Sequence, residues 1–214
     1  MDDAVKPRSY DSSRRRQRAL ATRQRILDAG RELFIERGYP ATSIEAVAAA
    51  ADVAPATVYR LFGSKREVLK AIIDVSAGGD DEPVAFHERP AVVALLQEPD
   101  PAEYLRGFAR LAVEVGRRMD PIYEVVAAAA TVDQDSAGLL ELMREQRYLG
   151  QGRVARGLAK RKALRDGASV SRAHDVIYAL FSPELRRVLI SERGWGWQRY
   201  ERWLADTLVS SLLR

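Results

Sequence analysis

Apolar positions recur at helical spacing along most of the chain. Ile26, Ala29, Leu33 and Phe34 form one stripe that Gly38 stops, which predicts a first helix over about 18–37. Ile44 and Val47 continue on a second, with alanines around them that permit close approach of another helix. Thr42 and Glu45, three residues apart, read as the capping box that opens it. The run breaks at Asp52-Val53, and Pro55, at home in a first turn, announces a third helix carrying Val58, Leu61 and Phe62 on one face. Ser64 and Glu67 form another capping box, opening a helix from Lys65 to about Ala77 with Val68, Leu69, Ile72 and Ile73 apolar. Gly78-Gly79-Asp80-Asp81-Glu82-Pro83 breaks the pattern and is the best linker signal in the chain.

The rest predicts more helices. One starts between Pro99 and Pro101, carries Tyr104, Leu105, Phe108 and Leu111, and runs to about Met119. Asp120-Pro121 opens a second, and Asp135-Ser136 a long third through Leu139, Leu142, Met143, Leu149 and Leu158. Ser171 caps a fourth, which Ser182-Pro183 kinks or tightens. A last helix holds Trp197, Tyr200, Trp203, Leu204, Leu208 and Leu212. No strand alternation and no internal repeat occurs, so the expected fold is all-α.

Within this pattern, two short helices joined by a tight turn at residues 43–62 form a helix-turn-helix. The outward positions at the start of the second are Pro55, Ala56, Thr57, Tyr59 and Arg60: small, hydroxyl-bearing and basic. A helix end of that character suits the DNA major groove, which admits one helix. Lys65 sits in the first turn of the next helix, where a cation opposes the macrodipole. An arriving DNA phosphate would reverse that penalty, because free backbone N–H groups and Lys65 would both face it. The alternative is a solvated lysine on a surface turn.

The run from Thr22 to Ile73, about a quarter of the chain, resembles the DNA-binding domain of the TetR family of bacterial transcriptional regulators. The matching elements are TRQRILDAGRELFIERGYPATSI and VYRLFGSKREVLKAI, with the spacing Tyr59-x-x-Phe62-x-x-Lys65-x-x-x-Leu69 most specific. The resemblance implies that Thr42 and Lys65 hold phosphates, and that Pro55, Ala56, Thr57 and Tyr59 lie against bases and backbone. It also implies a homodimer through the last two helices and a C-terminal domain that binds a small molecule. Three positions depart from the family pattern. Asp52 stands where Gly is frequent, Ala54 where a Ser usually caps the recognition helix, and Leu61 where His is frequent.

Charge supports the DNA reading. Lys and Arg number 14 against 10 Asp and Glu in residues 1–75, whereas the remainder is balanced at 20 against 20. Arg14, Arg15, Arg16, Arg18, Arg23 and Arg25 fall within twelve residues. Arg14, Arg15, Arg16 and Arg18, before or at the start of the first helix, form an arm that can touch phosphates or a narrow minor groove. A disordered, solubilising tail fits them equally, and residues 1–13 read as polar and disordered.

Other chemistry is sparse. There is no cysteine, hence no disulfide framework or thiolate site. No apolar run is long enough to cross a membrane and no secretory segment is seen at the start, which points to the cytoplasm. His87 and His174 lack metal-ligand spacing; His174, beside Asp175 and near Arg172, reads as a surface position, and Asp80-Asp81 as solvated turn residues. With no phosphate loop, nucleophile elbow or HExxH, an enzyme is disfavoured and no cofactor or metal is implied.

Dimer contacts are expected from Ile177, Leu180, Leu185, Trp197, Trp203, Leu204 and Leu208, packed as a four-helix bundle. Phe108, Met119, Tyr123, Met143, Tyr148, Tyr178 and Phe181 are candidate walls of a ligand pocket, with core packing as the alternative; an apolar or aromatic effector would suit them. The expected organisation is a basic arm over 1–19, a helix-turn-helix DNA-binding domain over 20–80, and an effector-binding and dimerisation domain over 81–214. The expected function is a repressor that binds a palindromic operator in double-stranded DNA as a dimer and is released by a small molecule. An all-α ligand-binding or protein-interaction module that has lost specific DNA reading is the alternative.

Overall fold

A computed structural model describes residues 9–82 and 84–214, with side chains from Arg14 onward. Residues 1–8 of the expected arm and Pro83 of the expected linker lie outside the described residues. The described chain is all-α, with only an isolated bridge between Leu164 and Leu213 in place of any strand. It divides into two compact units, 1–73 and 74–214. The division falls inside a helix, seven residues before the boundary expected at 80/81.

The first unit contains α1 (Ser9–Arg37), α2 (Ile44–Ala50), α3 (Pro55–Phe62) and the first part of α4 (Lys65–Gly78). Helix α1 starts nine residues earlier than the apolar stripe suggested. Positions 14–25 are almost all Arg, Gln, Ala and Leu, strong helix formers that extend the helix beyond its buried face. Arg14, Arg15, Arg16 and Arg18 are therefore exposed helical residues rather than an irregular arm. The core is Ile26, Leu27, Leu33 and Phe34 of α1 against Ile44, Val47, Val58, Val68, Leu69 and Ile72. Gly30 lets α1 come close: a Cβ there would stand 3.1 Å from Ile72 Cδ1 and 3.2 Å from Val68 Cγ1.

The second unit is a helical bundle. A single 3-10 turn (Phe86–Glu88) precedes α5 (Pro90–Gln97), followed by α6 (Pro101–Ala129) and α7 (Gln134–Lys160). Then come α8 (Val170–Leu180), α9 (Pro183–Arg186) running into a π-helical turn (Arg187–Glu192), and α10 (Trp197–Leu212). Its core gathers Tyr104, Leu105, Phe108, Val113, Leu158, Ile177, Tyr200, Leu204 and Leu208 from α6, α7, α8 and α10.

Several expectations need correction here. The two helices expected to meet at Asp120-Pro121 are one, α6, with Pro121 inside it. Proline removes one backbone donor, yet buried residues continue on both sides, from Gly116 to Ile122 and Val126, so packing carries the helix through. Helix α7 is capped by Asp133 rather than opened at Asp135, and α8 by Ser169 rather than Ser171. Helix α5 was not expected, because Pro90–Gln97 is apolar nearly all round and shows no period. Ser182-Pro183 does end one helix and cap the next, Ser182 Oγ accepting from the Leu185 N–H at 3.1 Å.

Candidate nucleic-acid interface and a groove in the second unit

In the helix-turn-helix, α2 ends in a Schellman motif: the Val53 N–H donates to Ala48 O at 3.0 Å and the Asp52 N–H to Ala49 O at 3.2 Å. Asp52 takes the left-handed position with φ 54°, a conformation a short polar side chain tolerates. Helix α3 then starts on Ala54, which makes no side-chain cap, with Pro55 in the first turn. Val58 is fully buried, and Pro55, Ala56, Tyr59 and Arg60 are exposed with Thr57 half-buried beside them. The Arg23 guanidinium lies 4.7 Å over the Phe62 ring and ties α1 to the end of α3. Gly63 closes α3 at φ 83°.

Thr42 and Lys65 have internal tasks. The residue that caps α2 is Ser43, whose Oγ accepts from the Ala46 N–H at 3.1 Å. Thr42 is 1% exposed, and its hydroxyl is directed at Gly38 O (2.9 Å) and Leu33 O (3.2 Å). The expected capping box at Thr42 is therefore displaced by one residue, and the Thr42 hydroxyl is engaged by the backbone of its own unit. Lys65 Nζ donates to Tyr39 O at 2.9 Å and sits 4.3 Å over the Tyr39 ring. Together these contacts fix the turn 38–42 against α1 and α4. The second capping box is where the pattern placed it: Ser64 Oγ accepts from the Glu67 N–H at 3.2 Å.

On α1, Arg14, Arg18 and Arg25 are exposed and share one stripe, since steps of four and seven residues return to the same side of a helix. Arg15 and Arg16 point elsewhere around it.

In the second unit, α6, α9, the π-helical turn and the first residue of α10 enclose a groove of about 400 Å³. Its apolar walls include Pro121, Ala127, Ile190 and Trp197, and Glu124 and Glu184 line it with Arg117 and Arg187. At its back Arg186, 4% exposed, grips Asp120 through Nε (2.8 Å) and Nη2 (2.7 Å), and its Nη1 donates to Phe181 O at 2.9 Å. Gly116 makes room: a Cβ there would stand 3.0 Å from Arg186 Nε. Tyr123 donates its hydroxyl to Glu184 at 2.9 Å, and burial pushes that phenol upward in pKa. Arg117 lies 5.3 Å over the Trp197 ring.

Of the pocket candidates only Tyr123 lines this groove. Phe108 stacks on Phe181 at 5.0 Å inside the bundle. Tyr148 packs on His174 (4.1 Å) and Tyr178 (5.7 Å) between α7 and α8, and Met143 is buried in α7. Met119 is half-buried on α6. His174 is itself a buried residue, its Nε2 2.8 Å from Tyr148 O, not the surface position its charged neighbours suggested. Among the expected dimer residues, Ile177, Leu204 and Leu208 are fully buried in the core of their own chain. Leu180, Leu185, Trp197 and Trp203 are half-buried. Among the described residues no helix is long and apolar enough to cross a membrane.

Residues 26–72 match the family model for bacterial regulatory proteins of the tetR family. The HTH-type transcriptional regulator TcmR of Streptomyces glaucescens is 32% identical over 156 residues, which span 70% of this chain and 64% of TcmR. The chain thus aligns with less than two thirds of that relative's length. Among solved structures, NalD, described as the secondary repressor of the MexAB-OprM multidrug efflux pump in Pseudomonas aeruginosa, superposes with TM-score 0.66 at 19% identity over 92% of this chain and 98% of NalD. The SmeT–triclosan complex superposes with TM-score 0.65 at 20% identity over 91% of this chain and 92% of SmeT. At these identities the structural likeness establishes a shared fold.

Proposed function

Because the chain belongs, by its N-terminal domain, to the TetR family of bacterial regulatory proteins, we propose that it is a cytoplasmic DNA-binding transcriptional repressor. It reads a palindromic operator as a homodimer and releases it when a small molecule occupies the second unit. The observation that carries this reading is the exposed start of α3: Pro55, Ala56, Tyr59 and Arg60 face outward while Val58 anchors the helix beneath them. A helix held from behind and bare in front is what major-groove readout requires. The stripe of Arg14, Arg18 and Arg25 supplies sequence-independent phosphate contact. Lys65, fixed by Tyr39, stands at a helix start where a phosphate adds to its contacts.

The effector reading is supported by the groove beside α6, with Trp197 and Tyr123 in its walls, and by the fold shared with SmeT, which was solved with triclosan. A mostly apolar, partly aromatic molecule suits those walls. For the dimer, Leu180, Leu185, Trp197 and Trp203 are the expected residues with surface left to give. Light scattering after size exclusion at micromolar concentration is expected to return twice the chain mass, and a monomer refutes it.

Selection of bound duplexes from a random library tests the function directly. A two-fold symmetric site bound at least ~10³ tighter than scrambled DNA is the expected result. Tyr59→Ala should then weaken that site selectively, while Lys65→Ala weakens all sequences alike and lowers the salt slope by about one. Enrichment of nothing, or binding that disappears uniformly with salt, overturns the reading.

A further inference from the structure

The near balance of charge in the second unit conceals a segregation. Residues 153–172 carry seven Lys and Arg against one acid, whereas the rest of 74–214 carries 13 against 20. That local excess is larger than the one over residues 1–75. Elsewhere in the unit the guanidinium groups of Arg89, Arg106, Arg118, Arg144, Arg186 and Arg187 each meet an Asp or Glu. Among the described residues, Arg153, Arg156, Lys160, Lys162, Arg165 and Arg172 are exposed and meet none. The one acid of the stretch, Asp166, is taken by Arg214 at 3.3 Å.

These cations are presented by an ordered scaffold. On α7 the steps from 153 to 156 to 160 return to one side of the helix, and those three cations are the exposed positions of 153–160. Val154, Ala155 and Leu158 are buried behind them. The helix closes in a Schellman motif, the Ala163 N–H donating to Leu158 O at 3.1 Å. Lys162 takes the left-handed position, φ 55°, where glycine is usual. The loop that follows is pinned to its neighbours: Arg161 Nε donates to Glu98 O at 2.9 Å, and the Arg165 N–H to Leu212 O at 2.8 Å. Helix α8 then opens on Ser169 with no acid in its first turn and Arg172 there instead.

Stability alone does not explain this arrangement. Cations in the last turn of α7 complement its dipole, which accounts for Lys160 and Arg161. The same rule counts against Arg172 in the first turn of α8, and the like charges at 153, 156 and 160 repel one another. A polyanion lying across the surface reverses both penalties. The α7 stripe spans about 10 Å at 1.5 Å per residue, the axial length of about three phosphates of one DNA strand. With no exposed apolar side chain between Arg153 and Lys160, it lacks the anchors on which a protein partner's interface centres. We propose that this surface is a second nucleic-acid contact, which binds the phosphate backbone of duplex DNA without regard to sequence. It belongs to the second unit and needs neither the reading face of α3 nor an operator.

Titration of the full chain with a random-sequence duplex at several salt concentrations tests it. Neutralising Arg153→Gln, Arg156→Gln and Arg165→Gln together should weaken binding and lower the salt slope by roughly two to three. Arg110→Gln with Arg193→Gln and Arg202→Gln removes the same net charge from exposed positions elsewhere in the unit and should leave the slope unchanged. All six side chains are exposed, so the unfolding midpoint should hold in both variants. An unchanged slope in the first variant, or equal falls in both, overturns the proposal. So does loss of binding to phosphatidylglycerol vesicles with duplex binding intact, which would assign the surface to a membrane. If selection enriches no operator, the repressor reading falls while the random duplex still decides this one.

Discussion

Removing Asp120 should cost more than any other single polar deletion in the second unit. Its partner Arg186 has a side chain 5% exposed, and three of the guanidinium contacts within 3.1 Å are to Asp120 oxygens. Asp120→Ala leaves that cation buried with the Phe181 carbonyl and the Tyr200 hydroxyl, both uncharged, as its acceptors, and a buried charge stripped of its counter-charge costs about 3–5 kcal/mol. Domains of this kind have about 5–15 kcal/mol in total, so the loss is a large share. With a urea slope of about 2 kcal/mol per molar, the midpoint should fall by roughly 1.5–2.5 M. The three tryptophans, Trp195, Trp197 and Trp203, all lie in this unit, so their fluorescence reports its unfolding. Replacing both partners, Asp120→Leu with Arg186→Met, should return stability to within about 1 kcal/mol of wild type, because a buried pair gains little over a packed apolar one. A midpoint shift below about 0.5 M for Asp120→Ala, or a double variant no more stable than the single, would refute the reasoning.

Three further outcomes are expected. Ala54→Ser restores the missing cap of α3 and should stabilise it by about 1 kcal/mol, read as roughly fivefold slower amide exchange at Thr57 and Val58. Gly157→Ala places a Cβ 2.5 Å from the Tyr104 hydroxyl and should cost about 1–3 kcal/mol by denaturant unfolding. Tyr104→Phe should rescue it, since that buried hydroxyl has no hydrogen-bond partner. The Arg89 guanidinium bonded to Asp80 holds that carboxyl down to about 2. Its folded value lies below the unfolded one, so the contribution to stability is present above about pH 4 and lost as pH falls through about 2. Carboxyl resonances should titrate at that low midpoint in the wild type and rise toward the ordinary carboxylate range in Arg89→Ala, with the Glu82 N–H still bonded to Asp80 holding back part of the return.

The helix-turn-helix was legible because each of its devices is local. The stripe of Val58, Leu61 and Phe62, the left-handed Asp52 and the proline of the first turn are all set by neighbours in sequence. What failed depended on burial. Thr42 with Glu45 and Ser43 with Ala46 both place a hydroxyl three residues before a helical N–H, and only the side of α1 against which Thr42 packs decides between them. Pro121 and Asp120 read as a helix start, yet Arg186, sixty-six residues away, claims the carboxylate and the bundle keeps the helix intact. His174 likewise owes its buried place to Tyr148, twenty-six residues back. Apolar spacing marked Ile177, Leu204 and Leu208 as facing something; it could not say that the something is their own core.

The same separation explains why the operator is not written in the fold. An eight-residue helix cannot stand alone in water, and α3 has a single fully buried residue, Val58, and no side-chain cap. Its stability is borrowed from α2 through the Asp52 turn, from Arg23 over Phe62, and from the turn 38–42 that Thr42 and Lys65 lock in place. The side chains of Ala56, Tyr59 and Arg60 contribute almost nothing to that scaffold, being exposed. Those side chains are accordingly free to vary without unfolding the unit, and it is they that would meet base edges. Substitutions at Tyr59 and Arg60 should thus change which duplex is bound while leaving the melting temperature within about 2 °C. A reading face that also carried the fold would lose both together, and a fall of more than about 5 °C in Tyr59→Ala would show that it does.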